Sequence, residues 1–451
     1  MPSGTTQDLT GQKIDGYRGI WFELNQKFPY GDKYSGGLGT YTAKHIPLAI
    51  YAPEVDKTFF VYGGTTDEDH RHLLCMIGYF DHEKGEVGKP IVVHDKIEVD
   101  DPHDNPSLSI DSEGFVWVFV SGRGRSRPGF IYKSTQAFDI SSFELIQESE
   151  MTYPQPWYLQ DQGFVYLFTK YTGVRELYYR TSSNGINWTE DMKLAGIREP
   201  GKERSGHYQV SNRTGSKVAT FFNRHPDGNV DQRTDLYYLQ TTDFGKTWTN
   251  VEGERMELPL EIVNNPARVV DFQQQGKNVY LKDLKFDQNG NPMCLYITSG
   301  GHEPGPDNDP REWWLSRWNG RKWIHSKITT SDHNYDMGSL ILQGKTWYLI
   351  APTTDGPQQF GTGGELDIWY STNKGKKWKL KTPLTRQSRM NHSYVRAVVN
   401  GITPFQYFWA DGNPEKMSIS HIYYGDLEGN IWQLPYEMTG ETMKPRKVFL
   451  K

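Results

Sequence analysis

Polar and apolar residues alternate in blocks around position 110, and this arrangement recurs along most of the chain. A polar segment at 101–105 precedes an apolar strand at 106–110, a turn ends at Gly114, and a second apolar strand follows at 115–120. Two strands joined by a tight turn form a β-hairpin, whose second strand returns to the side where the first began. The pattern therefore places His103 and Arg123 near each other at one end of a β-ribbon.

Seven segments begin in this way, most of them about 50 to 60 residues apart, and a longer gap predicts an inserted loop between the fourth and the fifth. Their starts lie at His45, His103, Tyr153, His207, the strand at 279–286, His333 and His392. A period of this length, with about four short strands per repeat, is typical of a β-propeller. We predict an all-β, seven-bladed β-propeller, with eight or six blades as the alternatives.

The two ends of the chain are expected to meet in this ring. The strand predicted near 16–24 and the C-terminal stretch 418–424 would share one blade. Sharing a blade closes the ring and leaves no free sheet edge. We therefore expect residues 1–451 to form a single propeller domain.

A second repeat lies out of phase with the first. Residues 242–248 and 372–378 match the Asp-box pattern S/T-x-D-x-G-x-x-W, and residues 183–188 and 318–323 are degenerate copies. In such a turn Asp or Asn caps the backbone, Gly takes a positive φ and Trp packs beneath. These turns are expected at the outer rim, where they stabilise the fold and have little direct function.

Composition agrees with a β fold and excludes some partners. The 451 residues include 14% aromatics, 45 Gly and 25 Pro, and the net charge is −5. No basic footprint for nucleic acid and no membrane span is expected. Cys75 and Cys294 lie in apolar contexts that favour buried free thiols. No signal peptide is visible, and we expect a periplasmic or extracellular protein whose leader is missing from this sequence.

Three stretches resemble a known family. Residues 16–21, residues 33–45 and the unit that begins His103-Asp104-Asn105-Pro106 are similar to the BNR-repeat-like seven-bladed propellers of carbohydrate breakdown. That group includes ulvan lyases, L-rhamnose–glucuronate lyases and an α-L-rhamnosidase family that trims arabinogalactan. The resemblance implies a carbohydrate-active enzyme with a polysaccharide or oligosaccharide substrate, and it covers nearly the whole chain.

The resemblance to the lyases also implies a site. His103 matches a His in an H-x-N-P context, and Tyr153 matches a Tyr in an S/T-Y-P context. Arg123 stands where the lyases have a second His, Lys170 stands where they usually have Arg, and Arg224 corresponds to a further Arg. These two departures leave open an α-L-rhamnosidase acting on arabinogalactan and a glycan-binding propeller without catalysis.

Elimination at a uronate requires the residue types found here. The proton α to the carboxylate becomes acidic only when a cation neutralises that carboxylate, which Arg does with two hydrogen bonds. A base then takes the proton, and an acid protonates the leaving oxygen. We expect His103 as base, Tyr153 as acid or base, and Arg123, Lys170 and Arg224 as the groups that hold the uronate.

Other residues are secondary candidates. His207, His333 and His392 open further blades and are expected to line the same basin as substrate-binding residues. In the rhamnosidase relatives a His on the opposite face is essential, and His45 or Gln26 occupies the corresponding region. Each of these side chains could instead bond the backbone at the entry to a strand.

No cofactor is expected to be required. HExxH and CxxC patterns are missing, so no metal ligands are assigned. A structural Ca²⁺, held by backbone carbonyls in the central channel of the propeller, is the one metal that the fold suggests.

Overall fold

The computed structural model describes residues 7–38, 45–67, 71–97 and 99–449. The described residues form β-strands, with three single-turn 3₁₀ helices at Pro102–Asp104, Pro226–Gly228 and Pro306–Asn308. The prediction of an all-β fold is therefore confirmed.

The strands of the first part of the chain, in order, are β1 Gly19–Glu23, β2 Lys27–Phe28, β3 Gly31–Asp32, β4 Ser35–Gly36, β5 Ala49–Ala52, β6 Lys57–Gly64, β7 Leu74–Asp81, β8 Glu86–Gly88, β9 Ile91–Asp95, β10 Pro106–Ile110, β11 Val116–Val120, β12 Gly129–Ser134 and β13 Phe143–Ser149. The middle part contains β14 Thr152–Leu159, β15 Gly163–Lys170, β16 Glu176–Ser182, β17 Met192–Arg198, β18 Gln209–Thr214, β19 Lys217–Arg224, β20 Thr234–Thr241, β21 Leu260–Ile262, β22 Arg268–Val270, β23 Asn278–Phe286, β24 Pro292–Ser299, β25 Arg311–Trp318 and β26 Trp323–Ser331. The last part contains β27 Ser339–Gln343, β28 Thr346–Thr354, β29 Glu365–Ser371, β30 Lys379–Pro383, β31 Asn391–Ala397, β32 Tyr407–Gly412, β33 Ser418–Ser420, β34 Ile422–Gly425, β35 Ile431–Gln433, β36 Thr442–Met443 and β37 Arg446–Val448.

Six sheets have the form of regular propeller blades, with four or five strands each. Their orders are β10-β11-β12-β13, β14-β15-β16-β17-β21, β18-β19-β20-β22, β23-β24-β25-β26, β27-β28-β29-β30 and β31-β32-β34-β35-β37. The first strand of each sheet lies beside the first strand of the next, so these strands surround the centre of the ring. A β-propeller is thus confirmed, and the prediction of seven regular blades is corrected to six.

The unit predicted as the first blade is built differently. Its strands β5, β6, β7, β8 and β9 are merged with β1, β4, β33 and β36 into one nine-stranded sheet. Within it β1 pairs with β33, Gly19 opposite Ser420, and also meets β6 at Gly64. Because β1 pairs with β6 near the N-terminus and with β33 near the C-terminus, this sheet has more than the four strands of the repeating pattern.

The hairpin around position 110 has the predicted register. β10 pairs antiparallel with β11, with Pro106 opposite Val120 and Leu108 opposite Val118.

The core lies between neighbouring sheets, where the buried ring of Trp117 packs on Phe164 of the next sheet at 5.2 Å between centroids. Packing of apolar sheet faces in this way supplies the main stabilisation of such a fold.

The Asp-box turns begin one residue earlier than the matched segments. Thr241 Oγ1 donates to Asp243 Oδ1 at 2.9 Å, and Thr241 Oγ1 accepts from the Gly245 amide at 2.9 Å. Asp243 also accepts from the backbone amide and the hydroxyl of Thr247, and Trp248 is buried below. Ser371 and Ser182 have the same role as Thr241 in the turns at 372–378 and 183–188.

Cys75 and Cys294 are buried free thiols, as predicted. No helix in the described ranges is long and apolar enough to cross a membrane.

Candidate active site

His103 lies in a polar turn that the sequence before β10 shapes directly. Asp101 caps the 3₁₀ helix by accepting from the His103 amide at 3.0 Å, and Pro102 begins the helix. The same carboxylate hydrogen-bonds Nδ1 of His103. This hydrogen bond fixes the orientation of the His103 ring and places the proton on Nδ1, as in other His–Asp pairs.

Two arginines complete this turn. Asp101 binds Arg123 at 2.5 Å and Arg127 at 2.8 Å, and Arg127 also reaches Asp104 at 2.7 Å. Burial would raise the pKa of Asp101, but His103 and Arg123 hold it far below its usual value. Asp101 therefore stays ionised and holds His103 and Arg123 together.

Tyr153 faces His103 from the next sheet. It has a φ of 56°, a conformation that non-glycine residues rarely adopt, beside an irregularity in the pairing of β14 with β15. Its ring centroid lies 5.7 Å from His103, 5.9 Å from His45 and 5.5 Å from Tyr208. The predicted trio of His103, Arg123 and Tyr153 thus comes together, and Tyr208 joins it.

Tyr208 lies in the strongest positive field of this cluster. Burial would raise its pKa, but Arg175 and Arg233, with a hydrogen bond from Tyr153, lower it below the usual value of 10.0. By contrast, burial and the neighbouring Tyr208 raise the pKa of Tyr153 well above that value. One phenol of the pair is therefore suited to accept a proton and the other to donate one.

Arg175 and Arg233 approach Tyr208 from the third strands of two neighbouring sheets. The Arg233 guanidinium lies 4.8 Å from the Tyr208 ring centroid and 4.9 Å from that of Tyr335. Arg175 lies over Tyr171 at 5.7 Å. In the described part of the chain neither arginine forms an ion pair with a carboxylate, so both can bind an anionic ligand.

The segment around β3 and β4 covers one side of the cluster. Lys33 forms an ion pair with Asp231, and Tyr34 packs on Tyr335 at 4.8 Å between centroids. Burial raises the pKa of Tyr34 to about 12. A groove of about 600 Å³ lies beside Arg175 and is lined by residues of 174–204 and 226–232.

The side chains of the three histidines predicted to line the basin hydrogen-bond to neighbouring backbone or side-chain groups. His207 hydrogen-bonds Asn223 O at 2.9 Å and accepts from the Ile197 amide at 3.0 Å. His333 accepts from the Tyr335 amide at 3.1 Å, and His392 accepts from Trp409 Nε1 at 3.1 Å. Burial lowers the pKa of His207 to about 4 and that of His333 to about 3, so both are structural and neutral.

Lys170 and Arg224, which were predicted to hold the uronate, both form ion pairs with carboxylates of the protein. Lys170 pairs with Asp191 at 2.9 Å, and Arg224 pairs with Asp235 at 2.9 Å and Glu199 at 3.2 Å. The cation at the end of β15 and the cation at the end of β19 are therefore each paired with a nearby carboxylate. Arg175 and Arg233 provide the positive charge at the basin instead.

His45 does not mark a separate face. Its Nε2 lies 3.1 Å from His103 O, and it is fully buried against Tyr153, so it belongs to the wall of the same cluster. Gln26 is exposed in the turn before β2, and its carbonyl accepts from the Lys33 amide at 3.0 Å. The two alternatives for the opposite-face His thus lie in different surroundings, His45 in the buried cluster and Gln26 at the surface.

The sequence contained a signal for the missed arginines. An Arg stands at or just before the third strand in four consecutive sheets, at Arg127, Arg175, Arg233 and Arg311. This end of the third strand lies on the same face as the entry to the first strand, because alternate strands of the sheet are antiparallel. The repeated position therefore places arginines on the face of the site.

No group of three or more His, Cys, Asp or Glu side chains in the described ranges is arranged to hold a metal ion.

Comparison with known proteins agrees with this architecture. An ulvan lyase of Nonlabens ulvanivorans is 25% identical over 329 residues, which cover 64% of this chain and 66% of that protein. An ulvan lyase-PL25 of Pseudoalteromonas sp. (strain PLSV) is 21% identical over 254 residues, 50% of this chain and 52% of that protein. The chain thus matches between about half and just under two thirds of the length of these relatives.

Solved structures match over almost the whole chain. A structure of a polysaccharide lyase PL25 ulvan lyase has a TM-score of 0.70 at 16% identity and covers 97% of this chain and 98% of its own. A second structure of this lyase, bound to -[GlcA(1-4)Rha3S]-, has a TM-score of 0.71. At this identity the likeness shows the fold.

Residues 75–331 match the family model described as BNR repeat-containing family member. Since this segment takes in more than half of the chain, the protein belongs to the BNR repeat-containing family.

Proposed function

We propose that this protein is a polysaccharide lyase that cleaves a glucuronate- and rhamnose-containing glycan by β-elimination. The main observation behind this proposal is the pair of phenols, Tyr208 with a lowered pKa and Tyr153 with a raised one. They lie next to two arginines, Arg175 and Arg233, that form no ion pair with a carboxylate among the described residues. The relatives described above are ulvan lyases, which makes ulvan the first substrate to test.

In the proposed reaction the uronate carboxylate binds Arg175, with Arg233 adding positive charge behind it. Neutralising this carboxylate stabilises the negative charge that develops when the adjacent C5–H bond breaks. Arg175 is half-buried and lines the groove, so it can contact the carboxylate. Arg233 is 3% exposed and acts through its charge, which lowers the pKa of Tyr208.

Tyr208 is proposed as the base and Tyr153 as the acid. The Tyr208 phenolate takes the C5 proton, the released electron pair forms the C4–C5 double bond, and the C4–O bond breaks. The leaving oxygen takes the Tyr153 proton, and transfer along the Tyr153–Tyr208 hydrogen bond resets the pair. The sequence predicts His103 as base, and its contact with Tyr153 supports a role next to the acid.

The groove beside Arg175 is proposed to hold the neighbouring sugar units. Its lining includes the cations Arg175, Lys202 and Arg204 and the amides Asn229 and Gln232, together with the acids Glu199 and Asp227. Lys202 pairs with Asp227 at 3.4 Å, and Glu199 pairs with Arg224. Arg175 and Arg204 are the cations of this lining that suit an acidic polysaccharide chain. We further propose that the nine-stranded sheet occupies a seventh place in the ring and that the enzyme acts outside the cell, where such polymers occur.

The test is to incubate the protein with ulvan and with other uronate glycans and to follow the ultraviolet absorbance of the unsaturated uronate. Growth of this absorbance with the wild type, and none with Tyr208→Phe, is the expected result. Release of saturated sugars or of free rhamnose without absorbance would replace the lyase by a hydrolase. No product from any uronate glycan would favour a binding protein.

A further inference from the structure

A small cavity lies on the axis of the ring, apart from the proposed active site. Its volume is about 30 Å³, enough for one or two water-sized occupants. Its walls come from the first strands of several sheets, with Trp157 from β14, Asn212 from β18, Lys282 and Asp283 from β23, Ser339 from β27 and Arg396 from β31. It is therefore part of the central channel.

The channel is lined by buried positive charge. Arg396 is 6% exposed, and its Nε and Nη2 atoms have no hydrogen-bond partner among the described residues. Lys282 is 2% exposed, and its Nζ donates to Asn334 O at 2.7 Å. Among the described side chains neither forms an ion pair.

Lys282 is directed inwards by a local irregularity of β23. Leu281 lies opposite Tyr296 and Asp283 lies opposite Leu295, so Lys282 is an extra residue in the pairing with β24. A bulge of this kind re-aims a side chain. Lys282 therefore lines the cavity, and its ammonium, which donates to Asn334 O, is subject to attraction by Asp336 and repulsion by Arg233 and Arg396.

The carboxylate that lines the cavity does not balance these charges. Asp283 accepts from the Leu340 amide at 2.9 Å and lies 3.4 Å from Lys285, which also lines the cavity. The lining thus contains three basic side chains and one acidic one among the described residues. On the other side, His45 adds an Nδ1 that has no partner.

This lining does not fit the Ca²⁺ that the fold suggests. Calcium needs six to eight oxygen ligands, with carboxylates among them. A second cation would be repelled by Arg396 and Lys282. Unpaired buried cations carry a large desolvation cost, which a buried anion relieves.

We propose that the central channel binds a small monovalent anion, such as chloride, between Arg396 and Lys282. The anion supplies the acceptor that Nε and Nη2 of Arg396 lack, and it keeps Lys282 protonated. Burial lowers the pKa of Lys282, so the alternative state is a neutral lysine beside water. The site is structural and is independent of the proposed lyase activity.

The first test is crystallography of the wild-type protein with bromide, which scatters anomalously. An anomalous peak within hydrogen-bond distance of Arg396 is the expected result. A cavity that contains only water in crystals with high bromide would overturn the proposal, whatever the variants do.

The second test is thermal unfolding in sodium chloride and sodium gluconate mixtures at fixed ionic strength. Because the anion binds only the folded state, Tm should rise by a few degrees from about 1 mM to about 300 mM chloride. Arg396→Met should remove this dependence, and Arg321→Met, at an exposed outer turn, should keep it. An equal dependence in both variants would contradict the site.

Discussion

Tyr153 and Tyr208 are neighbouring phenols in unlike surroundings. Tyr208 is buried, and the positive charges of Arg175 and Arg233 lower its pKa. Tyr153 lies between the rings of His45, His103 and Tyr208. A hydrogen bond from Tyr153 to Tyr208 stabilises the phenolate of the latter. In the proposed elimination, environment and not residue type thus decides which tyrosine is the acid and which is the base.

The pH dependence of the reaction tests this assignment. Tyr208 must be deprotonated, so kcat/KM should rise with pH through a pKa below 10, while Tyr153 stays protonated throughout. The initial rate of absorbance growth across a pH series measures this. A rising limb centred near 6.5, the usual pKa of histidine, would instead assign the base to His103.

His103 and His207 should respond differently to the same substitution. His103→Gln removes a side chain from the cluster but leaves Asp101 balanced by Arg123 and Arg127, so kcat should fall by about 10²-fold or more with Tm little changed. His207→Gln breaks two hydrogen bonds to the backbone and should cost about 1 to 3 kcal/mol of stability.

Activity and thermal unfolding of both variants provide the comparison. For His207→Gln, kcat of the folded enzyme should remain within a few-fold of the wild type. Full activity in His103→Gln would remove His103 from the mechanism.

The choice between His207 and Tyr208 shows what sequence reasoning could not determine. Successive side chains point to opposite sides of an extended chain, and the sequence does not say which of the two enters the basin. His207 hydrogen-bonds the backbone of Asn223 and Ile197, whereas the ring of Tyr208 lies under Arg233. The motifs around His103 and Tyr153 matched a known pattern, so the sequence could select them as candidates. The ion pairs of Lys170 with Asp191 and of Arg224 with Asp235 became visible only in the structure.

At the level of elements, the Asp-box turn is a self-contained stabilising unit. Asp243 alone accepts three hydrogen bonds from Thr241 and Thr247. Hairpin turns of this kind are local in sequence, which is why they were predictable together with the strands that they join. The merger of β1 with β33 and β6 depends on contacts between the chain ends, and the regular blade count therefore differed from the prediction.

Asp243→Ala should destabilise the protein without affecting the site. Loss of the hydrogen-bond acceptor leaves the turn uncapped and should lower the free energy of unfolding by about 1 to 3 kcal/mol. Chemical denaturation measures the change, and Lys246→Ala, an exposed change in the same turn, is the control. Equal stability of the two variants would show that the turn is held by Trp248 packing alone.

At the level of the whole molecule, the site is assembled from several sheets. Arg123 follows β11, Tyr153 belongs to β14, Tyr208 precedes β18 and Arg233 precedes β20. The groove beside Arg175 continues this surface towards Arg204. A long polymer can therefore contact residues far from the bond that is cleaved.

Arg204→Gln should weaken polymer binding without changing the chemical step. Arg204 is exposed and lies outside the phenol cluster, so KM should rise several-fold for a long substrate with kcat unchanged. A short uronate oligosaccharide that does not reach the groove should show no difference. A fall in kcat with unchanged KM would place Arg204 in the reaction itself.

Overall stability should also depend on two buried carboxyls, Asp332 and Asp336, in the segment before β27. Burial and the nearby Asp355 raise the pKa of Asp332 to about 6, and burial and Asp332 raise that of Asp336 well above 3.8. Folding therefore favours the protonated form of Asp332. Its contribution is fully present below the unfolded pKa of 3.8 and is lost as pH rises through about 6.

Asp332→Asn removes this titration and keeps an oxygen for the Phe360 amide, which donates to Asp332 at 2.9 Å. We expect the Tm of the wild type to fall relative to that of the variant between about pH 4 and about pH 7, with little further change above that. Asp161→Asn, at an exposed turn, is the control and should follow the wild type. If Asp332→Asn also follows the wild type across this range, the Asp332 carboxyl is ionised in the folded protein, and its neighbours must compensate the charge.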